Sequence, residues 1–393
     1  MNPNKPIRVL YSFPHKLGAQ RICHTAWQQV TGLAAAGAEL QVFPGVLYRP
    51  IPSTAHVHPT LARGKLRIPY KLLGRMGACA LHDFIVAHRI EKLAGEIDII
   101  HTWPLGALRT LQTAAKLGIC TVLERPNTHT RFGYRVVNEE CDRIGVPLPS
   151  GDEHAYNSAI LTKEEEEYRL ADNILCPSDF VMKTFLDQGV PREKLVRHSY
   201  GFDNQIFYAD QMPSDPRHPR TVLFVGACTV VKGLHFALEA WCRSSAIQTG
   251  EFLIAGKFLP AYEIKLRPFL SHPSVKLLGQ RNDIPDLMRK SDVLVLPSLT
   301  EGFPLVMAEA IGSGCVPLVS DACPDICKHM ENCLMHRVGD VETLTRHLSM
   351  ICENHELRAK LREGCLRTAP GITWTAAGEK LLQVYRDILS SRT

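Results

Sequence analysis

Three features that would narrow the function at once are missing from this sequence of 393 residues. No apolar run reaches the roughly 18 residues that a membrane-spanning helix needs. No Cys-x-x-Cys pair is present, so the commonest zinc-binding pattern is absent. The net charge is only +5, which permits an anionic ligand but gives no sign of nucleic-acid binding. We therefore expect neither a membrane-spanning protein, nor a metal site, nor a nucleic-acid partner.

The thirteen cysteines need an explanation of their own. Their number is odd, and residues 1–6 lead into a strand pattern without a signal peptide. Cys323 and Cys327 could share one face of a helix, but no second Cys or His pair with zinc spacing lies nearby. Reduced cysteines that fill apolar gaps in a cytoplasmic protein are the preferred interpretation.

Apolar strand patterns alternate with helical patterns along the chain, which is typical of parallel α/β sheets. The strands predicted in the first half are residues 8–13, 39–45, 97–103, 121–126 and 173–178. Those predicted in the second half are residues 221–227, 251–256, 275–279, 292–298 and 315–321. In the first half, helices are predicted over residues 20–36 and 105–117, from a cap at Ser178 or Asp179, and from the capping-box pattern Thr162-Lys163-Glu164-Glu165. In the second half, a helix is predicted between each pair of successive strands, and a last helix over residues 375–391.

The length of the chain and a break near its middle predict two domains. A chain of this size is too long for one ordinary hydrophobic core. Residues 211–220, QMPSDPRHPR, contain three prolines and several charges, which is typical of a linker. A second break, at Pro370-Gly371, precedes the last predicted helix. We expect two α/β domains in tandem, with a hinge at these two breaks.

Two glutamates eight positions apart, Glu301 and Glu309, flank the start of a predicted helix. Pro304 suits the first helical position, and the free amides of Leu305 and Val306 would attract a phosphate. One carboxylate could then accept hydrogen bonds from a sugar and the other from a ribose diol. The spacing suits a nucleotide-sugar, although two glutamates that only satisfy the helix start are the structural alternative.

The segment PSLTEGFPLVMAEAIGSGCVPLVSD, which contains these glutamates, resembles the E-x7-E motif of retaining glycosyltransferases of family 4 with the GT-B fold. VLFVGACTVVKGLHFALEAW resembles the phosphate-binding segment of that family, and VKLLGQRNDIPDLMRKSDVLVLPS resembles its base-binding loop and next strand. The resemblance covers about residues 98–391. It implies two Rossmann-like α/β/α domains that face a central cleft, an acceptor-binding one (1–205) and a nucleotide-sugar-binding one (206–370), and a C-terminal helix (371–393) that crosses back to the first.

The resemblance also implies a reaction, in which a sugar moves from a nucleoside-diphosphate sugar to a hydroxyl acceptor with retention and without a catalytic metal or other cofactor. Glu301 and Lys232 match catalytic positions of the family. The donor-binding positions are Gly18, Gly226, Lys232, Arg281, Glu301, Gly302, Phe303, Pro304, Leu305, Val306 and Glu309. The expected partners are the donor and a glycan or lipid-linked acceptor in polysaccharide or glycolipid synthesis.

The sequence departs from the family pattern at three places, of which the first is the loop PHKLGAQR, where Gly18 stands alone in place of the usual paired glycines. Ala227 stands where many relatives have an arginine, and Arg125 or Arg131 could supply the missing charge from across the cleft. A histidine usually ends a strand of the first domain near the donor, and His129 is the candidate here for a catalytic role. His101 matches a histidine on the acceptor side, with Arg125 beside it, although a strand-end histidine that serves only the fold is an equal alternative.

The segment 61–82 mixes basic and apolar residues, which favours either peripheral contact with an anionic membrane or a solvated face packed on the first domain. We thus expect a cytoplasmic protein, with the inner face of the membrane as a further site. Other functions compatible with the pattern are a GT-B sugar-nucleotide epimerase and a non-catalytic nucleotide-sugar-binding protein. A dinucleotide oxidoreductase is disfavoured because no G-x-G-x-x-G follows any strand.

Overall fold

The computed structural model describes residues 6–63, 66–68, 70–149, 151–210 and 220–392. The strands of the first half are β1 (Arg8–Leu17), β2 (Glu39–Leu47), β3 (Ala55–Val57), β4 (Ala62–Arg63), β5 (Leu66–Arg67), β6 (Ile99–Thr102), β7 (Cys120–Glu124), β8 (Asn173–Cys176) and β9 (Leu195–Arg197). The helices of this half are α1 (Ile22–Ala35), α2 (Tyr70–Leu93), α3 (Leu108–Leu117), α4 (Thr130–Ile144), α5 (Ser158–Leu170) and α6 (Asp179–Leu186).

The strands of the second half are β10 (Arg220–Val225), β11 (Gly250–Ala255), β12 (Val275–Gly279), β13 (Val293–Leu296), β14 (Val316–Ser320) and β15 (Leu334–His336). Its helices are α7 (Leu234–Arg243), α8 (Pro260–Leu270), α9 (Ile284–Lys290), α10 (Leu305–Ser313), α11 (Val341–Glu353), α12 (His355–Thr368) and α13 (Trp374–Ser390). Short apolar strands followed by helices form parallel pairs because each crossover returns over the sheet.

Two parallel sheets result, in the orders β3-β2-β1-β6-β7-β8-β9 and β12-β11-β10-β13-β14-β15. The antiparallel pair β4-β5 lies outside them. In each sheet the strand order reverses beside the first strand, between β1 and β6 in one and between β10 and β13 in the other. Crevices open at such reversals, beyond the carboxyl ends of the strands, and ligands bind there in doubly wound folds.

The C-terminal helix α13 returns to the first sheet, as predicted. Its buried Leu381, Tyr385 and Ile388 belong to the core that contains β1 and α1. α1 and α13 approach closely at Gly32 and Gly378, where a Cβ on Gly378 would lie 2.6 Å from the Cα of Gly32. The chain passes from the first sheet to the second after β9, near Phe202, and returns before α13, near Thr373. These two crossings lie side by side, because Phe202 and Thr373 form a parallel bridge.

Helix α4 was not predicted, and it leaves the first sheet to pack on the second. Val137, Cys141 and Ile144 are buried in the core formed by β10 and α7, against residues such as Val231 and Phe236. A hydrogen bond of 2.7 Å also joins the Glu140 carboxylate to His235 Nε2 on α7. The two halves of the chain thus interlock in two places, at α13 and at α4.

Two local predictions were wrong, and a third cannot be compared with the structure. The capping-box pattern at Thr162 does not begin a helix, because α5 already begins at Ser158 and the Asn157 side chain accepts from the amide of Ile160. Pro304 is not the first helical residue but the N-cap of α10. The linker prediction falls almost entirely on residues 211–219, which lie outside the described residues. The domain boundaries stay predictions.

Candidate active site

Lys232 and Glu301 meet at the strand reversal of the second sheet. Lys232 lies after β10, and Glu301 lies in the turn between β13 and α10. The ammonium of Lys232 is 2.6 Å from Oε1 of Glu301, and the Ser298 hydroxyl donates to the same oxygen at 2.7 Å. Glu301 is only 8% exposed. Burial with one cation and one hydroxyl fixes the carboxylate in place while leaving Oε2 without a described partner.

The start of α10 lies directly behind this pair. Pro304 has φ −70° and ψ 109°, so the helix begins at Leu305. The amides of Leu305 and Val306 belong to the first turn, where no helical carbonyl can accept from them. The segment from Glu301 to Val306 therefore places a carboxylate and a helix N-terminus side by side, as predicted for a sugar diphosphate.

Glu309 lies on α10 and is half-buried. Burial raises the pKa of its carboxyl to about 7. Among the residues that the structure describes, no hydrogen bond or ion pair reaches this carboxylate. A buried carboxyl with no partner is costly for the fold, so Glu309 is a candidate for binding a ligand hydroxyl.

Gly302 and Phe303 bring the two halves into contact. A Cβ on Gly302 would lie 1.6 Å from the carbonyl oxygen of Pro126, which follows β7 of the first sheet. Beside it, the hydroxyls of Thr128 and Thr300 are 2.9 Å apart. Phe303 is buried against Tyr200 with ring centroids 5.7 Å apart. Only a residue without a side chain fits at position 302 in this closed arrangement.

A cavity of about 770 Å³ is lined by residues of both halves, including Lys232 and Glu301. The first half contributes α4 residues, the segment 151–157, and three arginines, Arg21, Arg75 and Arg125. The second half contributes Ala227, residues 229–232 and Thr300–Glu301. The volume is enough for a sugar with part of a larger acceptor or donor.

Arg125 lies in this cavity wall, but its charge is already engaged. Its guanidinium is 3.2 Å from the Glu164 carboxylate and donates to the carbonyl of Thr128 at 2.8 Å. Arg131 is paired in the same way with Glu165, at 2.8 Å. Neither arginine is therefore free to replace the charge that Ala227 lacks.

His129 does not line the cavity. It is 3% exposed and forms the N-cap of α4, where its Nδ1 accepts from the amide of Arg131 at 3.2 Å. Its ring packs against Tyr168 and Phe185. Burial, with the positive charges of Arg125 and Arg131, lowers its pKa to about 3. These contacts are those of a residue that serves the fold, and a catalytic role for His129 has no geometric support.

His101 is fully buried at the end of β6. Its Nδ1 is 2.6 Å from the hydroxyl of Tyr385 on α13, and its Nε2 is 3.4 Å from the Glu124 carboxylate. Its ring stacks on Tyr11. Burial lowers the pKa of His101 to about 4. The predicted acceptor-side position is thus inside the core, and the structural alternative describes these contacts.

The other predicted donor residues lie away from the cavity wall. Arg281 follows β12 and forms an exposed ion pair with Asp283 at 2.5 Å. Gly18 and Gly226 have φ of 88° and 151° at the ends of β1 and β10. Both glycines therefore hold backbone conformations that side chains rarely adopt, at the carboxyl ends of the two strands beside the reversals.

Sequence reasoning missed Arg21, which lies between β1 and α1 and lines the cavity. The pattern PHKLGAQR contains it, and a cation just after the first strand was a usable signal. It also missed the α4 side of the cavity, because Thr130, Gly133, Tyr134 and Val137 become visible only when α4 packs on the second sheet. Nothing local in the α4 sequence says which sheet it contacts.

Both the sequence and the fold of this chain are similar to those of known proteins. Residues 219–354 match the family model of glycosyl transferases group 1. Sucrose-phosphate synthase from Thermosynechococcus elongatus has a similar structure, with a TM-score of 0.72 and 18% identity over 98% of this chain and 100% of that one. The chain has the GT-B fold. The GT-B interpretation of the sequence is therefore confirmed for the architecture as a whole.

Two curated proteins are similar to part of this GT-B chain. One is N,N'-diacetylbacillosaminyl-diphospho-undecaprenol alpha-1,3-N-acetylgalactosaminyltransferase of Campylobacter jejuni, 28% identical over 31% of this chain and 33% of the relative. The other is UDP-Gal:alpha-D-GlcNAc-diphosphoundecaprenol alpha-1,3-galactosyltransferase of Escherichia coli, 29% identical over 30% of each chain. The match thus spans about a third of the length of these relatives.

Proposed function

We propose that this GT-B protein is a retaining glycosyltransferase that moves a sugar from a nucleoside-diphosphate sugar to a hydroxyl of a glycan or lipid-linked acceptor. The observation that carries the proposal is the 2.6 Å pair between Lys232 and Glu301, because it lies at a strand reversal and lines a cavity shared by both halves. The match of residues 219–354 to glycosyl transferases group 1 includes both residues.

The pair can exchange its partners when a donor binds. A diphosphate offers Lys232 an anion in place of Glu301, and the hydroxyls of the donor sugar offer Glu301 new hydrogen-bond donors. In the transfer, the bond between the anomeric carbon and the phosphate oxygen breaks, the acceptor oxygen bonds to that carbon, and the proton of the acceptor hydroxyl leaves with the departing diphosphate. Negative charge then grows on the departing diphosphate, where Lys232 and the first turn of α10 stabilise it. We propose on this basis that transfer proceeds without a divalent metal.

The acceptor proposal rests on similarity and on the cavity. The two partly similar relatives act, by their names, on sugars linked to diphospho-undecaprenol. The cavity wall of this chain mixes arginines with the carboxylates Asp152, Glu153 and Glu164, a polar lining suited to a sugar acceptor. We propose a sugar carried on a lipid diphosphate as the acceptor, with polysaccharide or glycolipid synthesis as the process served.

Membrane contact stays a proposal, because the segment 61–82 lies only partly within the described residues. None of the described helices is long and apolar enough to cross a bilayer. On α2, however, Leu72 and Phe84 are 79% and 54% exposed. Gly74, with φ 64° and ψ 171°, interrupts the helix between these two residues, so they belong to separate helical segments. Exposed apolar side chains beside basic residues can lie on an anionic membrane surface, so we propose that α2 touches the inner face of the membrane. Co-sedimentation with anionic vesicles, compared between wild type and Leu72→Ser, tests this contact.

A binding screen followed by a transfer assay tests the function. Thermal shifts with UDP, GDP, ADP and their sugar conjugates, with and without EDTA, identify the donor, and we expect a shift that EDTA does not remove. NMR of the product from the identified donor then reports the anomeric configuration, which we expect to match that of the donor. Binding without any transfer would favour a non-catalytic nucleotide-sugar-binding protein, and a free epimerised sugar nucleotide would favour an epimerase.

A further inference from the structure

The reversal point of the first sheet faces the same cavity as that of the second. Arg21 follows β1 on one side of this reversal, and Leu105 follows β6 on the other. Both line the same cavity as Lys232 and Glu301. Their backbones have φ of 58° and 66°, and Met330 is the one other described non-glycine residue with a positive φ. The fold thus holds Arg21 at this wall in a conformation that a non-glycine residue seldom adopts.

The charges around the cavity are unevenly paired. Four cationic side chains line it, namely Arg21, Arg75, Arg125 and Lys232. Arg125 is engaged by Glu164, and Lys232 by Glu301. Within the described part of the chain, the guanidinium of Arg21 has no ion pair or hydrogen bond, and the same holds for Arg75. Two unpaired guanidinium groups at one concave wall favour an anionic ligand.

The absence of a charge at Ala227 indicates which anionic group Arg21 would bind. Ala227 lies just after Gly226, on the same cavity wall as Lys232, and it brings no charge. Lys232 therefore faces a diphosphate without a second cation from its own half of the protein. Arg21 is the unpaired cation that follows β1, at the reversal of its sheet, as Ala227 follows β10 at the reversal of the other sheet, and both line the cavity. Arg75 instead belongs to α2.

We infer that Arg21 binds the diphosphate of the donor from the first half, opposite Lys232, and so supplies the charge that Ala227 lacks. This inference rests on the proposed function, because it assumes a nucleoside-diphosphate donor. A planar guanidinium can hold two phosphate oxygens at once, which a lysine cannot do. A diphosphate held from both halves also couples donor binding to closure of the cleft.

Calorimetric titration of the full-length protein measures this contact. UDP, GDP and ADP are titrated into wild type, Arg21→Gln, Arg21→Lys, the other cavity variant Arg75→Gln and the control Arg386→Gln, which replaces an exposed arginine of α13 outside the cavity lining. The corresponding nucleosides are titrated into the same proteins. For the nucleotide that binds wild type, we expect Arg21→Gln to weaken the diphosphate form about 10- to 100-fold, the size of a lost charged hydrogen bond. The affinity for the nucleoside should stay unchanged. Arg21→Lys should recover part of the loss, Arg75→Gln should weaken the diphosphate form less than Arg21→Gln does, and Arg386→Gln should bind as wild type.

The outcomes separate the inference from the proposed function. If wild type binds none of the three nucleotides, the proposed function fails. If wild type binds one and Arg21→Gln binds it equally, the inference alone fails. A loss seen with Arg75→Gln in place of Arg21→Gln also overturns it. Steady-state kinetics give a second readout, because Arg21→Gln should raise the donor KM and lower kcat, whereas a rise in acceptor KM alone would assign Arg21 to the acceptor. Melting temperatures near that of wild type confirm that the variants are folded.

Discussion

Replacing Glu309 by glutamine should stabilise the protein at high pH and weaken binding of the donor. The carboxyl of Glu309 is buried without a described partner, and its pKa of about 7 lies above the ordinary 4.5. The folded protein therefore binds a proton here that the unfolded chain releases. Below pH 4.5 both states are protonated, and glutamate and glutamine should be equivalent. Between pH 4.5 and 7 the wild type progressively loses stability relative to the variant, and above pH 7 the difference stays constant.

The size of the effect follows from the two pKa values. A pKa of about 7 against 4.5 corresponds to about 3 kcal/mol once the group is ionised in both states. Partial exposure of the carboxyl and rearrangement of the residues around it both reduce this free energy, so we expect a difference of about 2 kcal/mol in unfolding free energy at pH 8. For a domain of the size of the second half, this raises the melting temperature of Glu309→Gln by roughly 4–8 °C. At pH 4 the two melting temperatures should coincide.

Calorimetric melting from pH 4 to 9 is the assay, with Glu263→Gln on the exposed face of α8 as the control. The same series with the donor nucleotide present tests the binding role. If Glu309 accepts from the ribose diol, wild type should bind more tightly as the pH rises through about 7, and Glu309→Gln should lose that dependence. A stability difference that is the same at every pH would refute the reasoning about burial. An unchanged donor KM in the variant would refute the ribose role.

Three further variants probe other contacts. Lys232→Ala should lower kcat as well as donor affinity, measured against the exposed control Lys257→Ala, and a change in affinity alone would limit Lys232 to ground-state binding. Gly302→Ala should push the two halves apart at Pro126, because the new Cβ would overlap its carbonyl oxygen. We expect sugar transfer to fall at least tenfold and the radius of gyration from X-ray scattering to increase, and full activity would contradict the closed arrangement. Glu140→Ala leaves His235 without its carboxylate, so we expect a loss of about 1–2 kcal/mol in thermal melting, which Glu140→Gln should largely restore.

The sequence was most informative where a pattern is local. Every predicted strand exists, because short apolar runs bounded by a glycine or a polar turn are typical of parallel strands. The meeting of Glu301 with the start of α10 was also predictable, since the turn and the helix are adjacent in sequence. The contact of Lys232 with Glu301 was not predicted, although the rule that ligands bind beyond the strand ends had placed both residues at one donor site.

Contacts between distant segments were not predictable in this way. His129 has the residue type of a catalytic group, but the rings of Tyr168 and Phe185 hold it inside the first half. His101 follows a strand as an active-site residue often does, yet the C-terminal helix places Tyr385 over it. Whether a strand-end side chain faces a cleft or the core depends on the helix that covers it, and that helix can come from anywhere in the chain.

Helix α4 changes how closure of the cleft has to be understood. The predicted hinge lay at the linker and at Pro370-Gly371, where the chain passes between the sheets. α4, however, belongs to the first half in sequence and to the second in packing, since Val137 and Cys141 share a core with α7. Because buried cores do not slide freely, α4 should move with the second sheet. Opening of the cleft, which stays a prediction, would then also require movement in the short segments on either side of α4, and it would displace the segment 151–157, which lines the cavity.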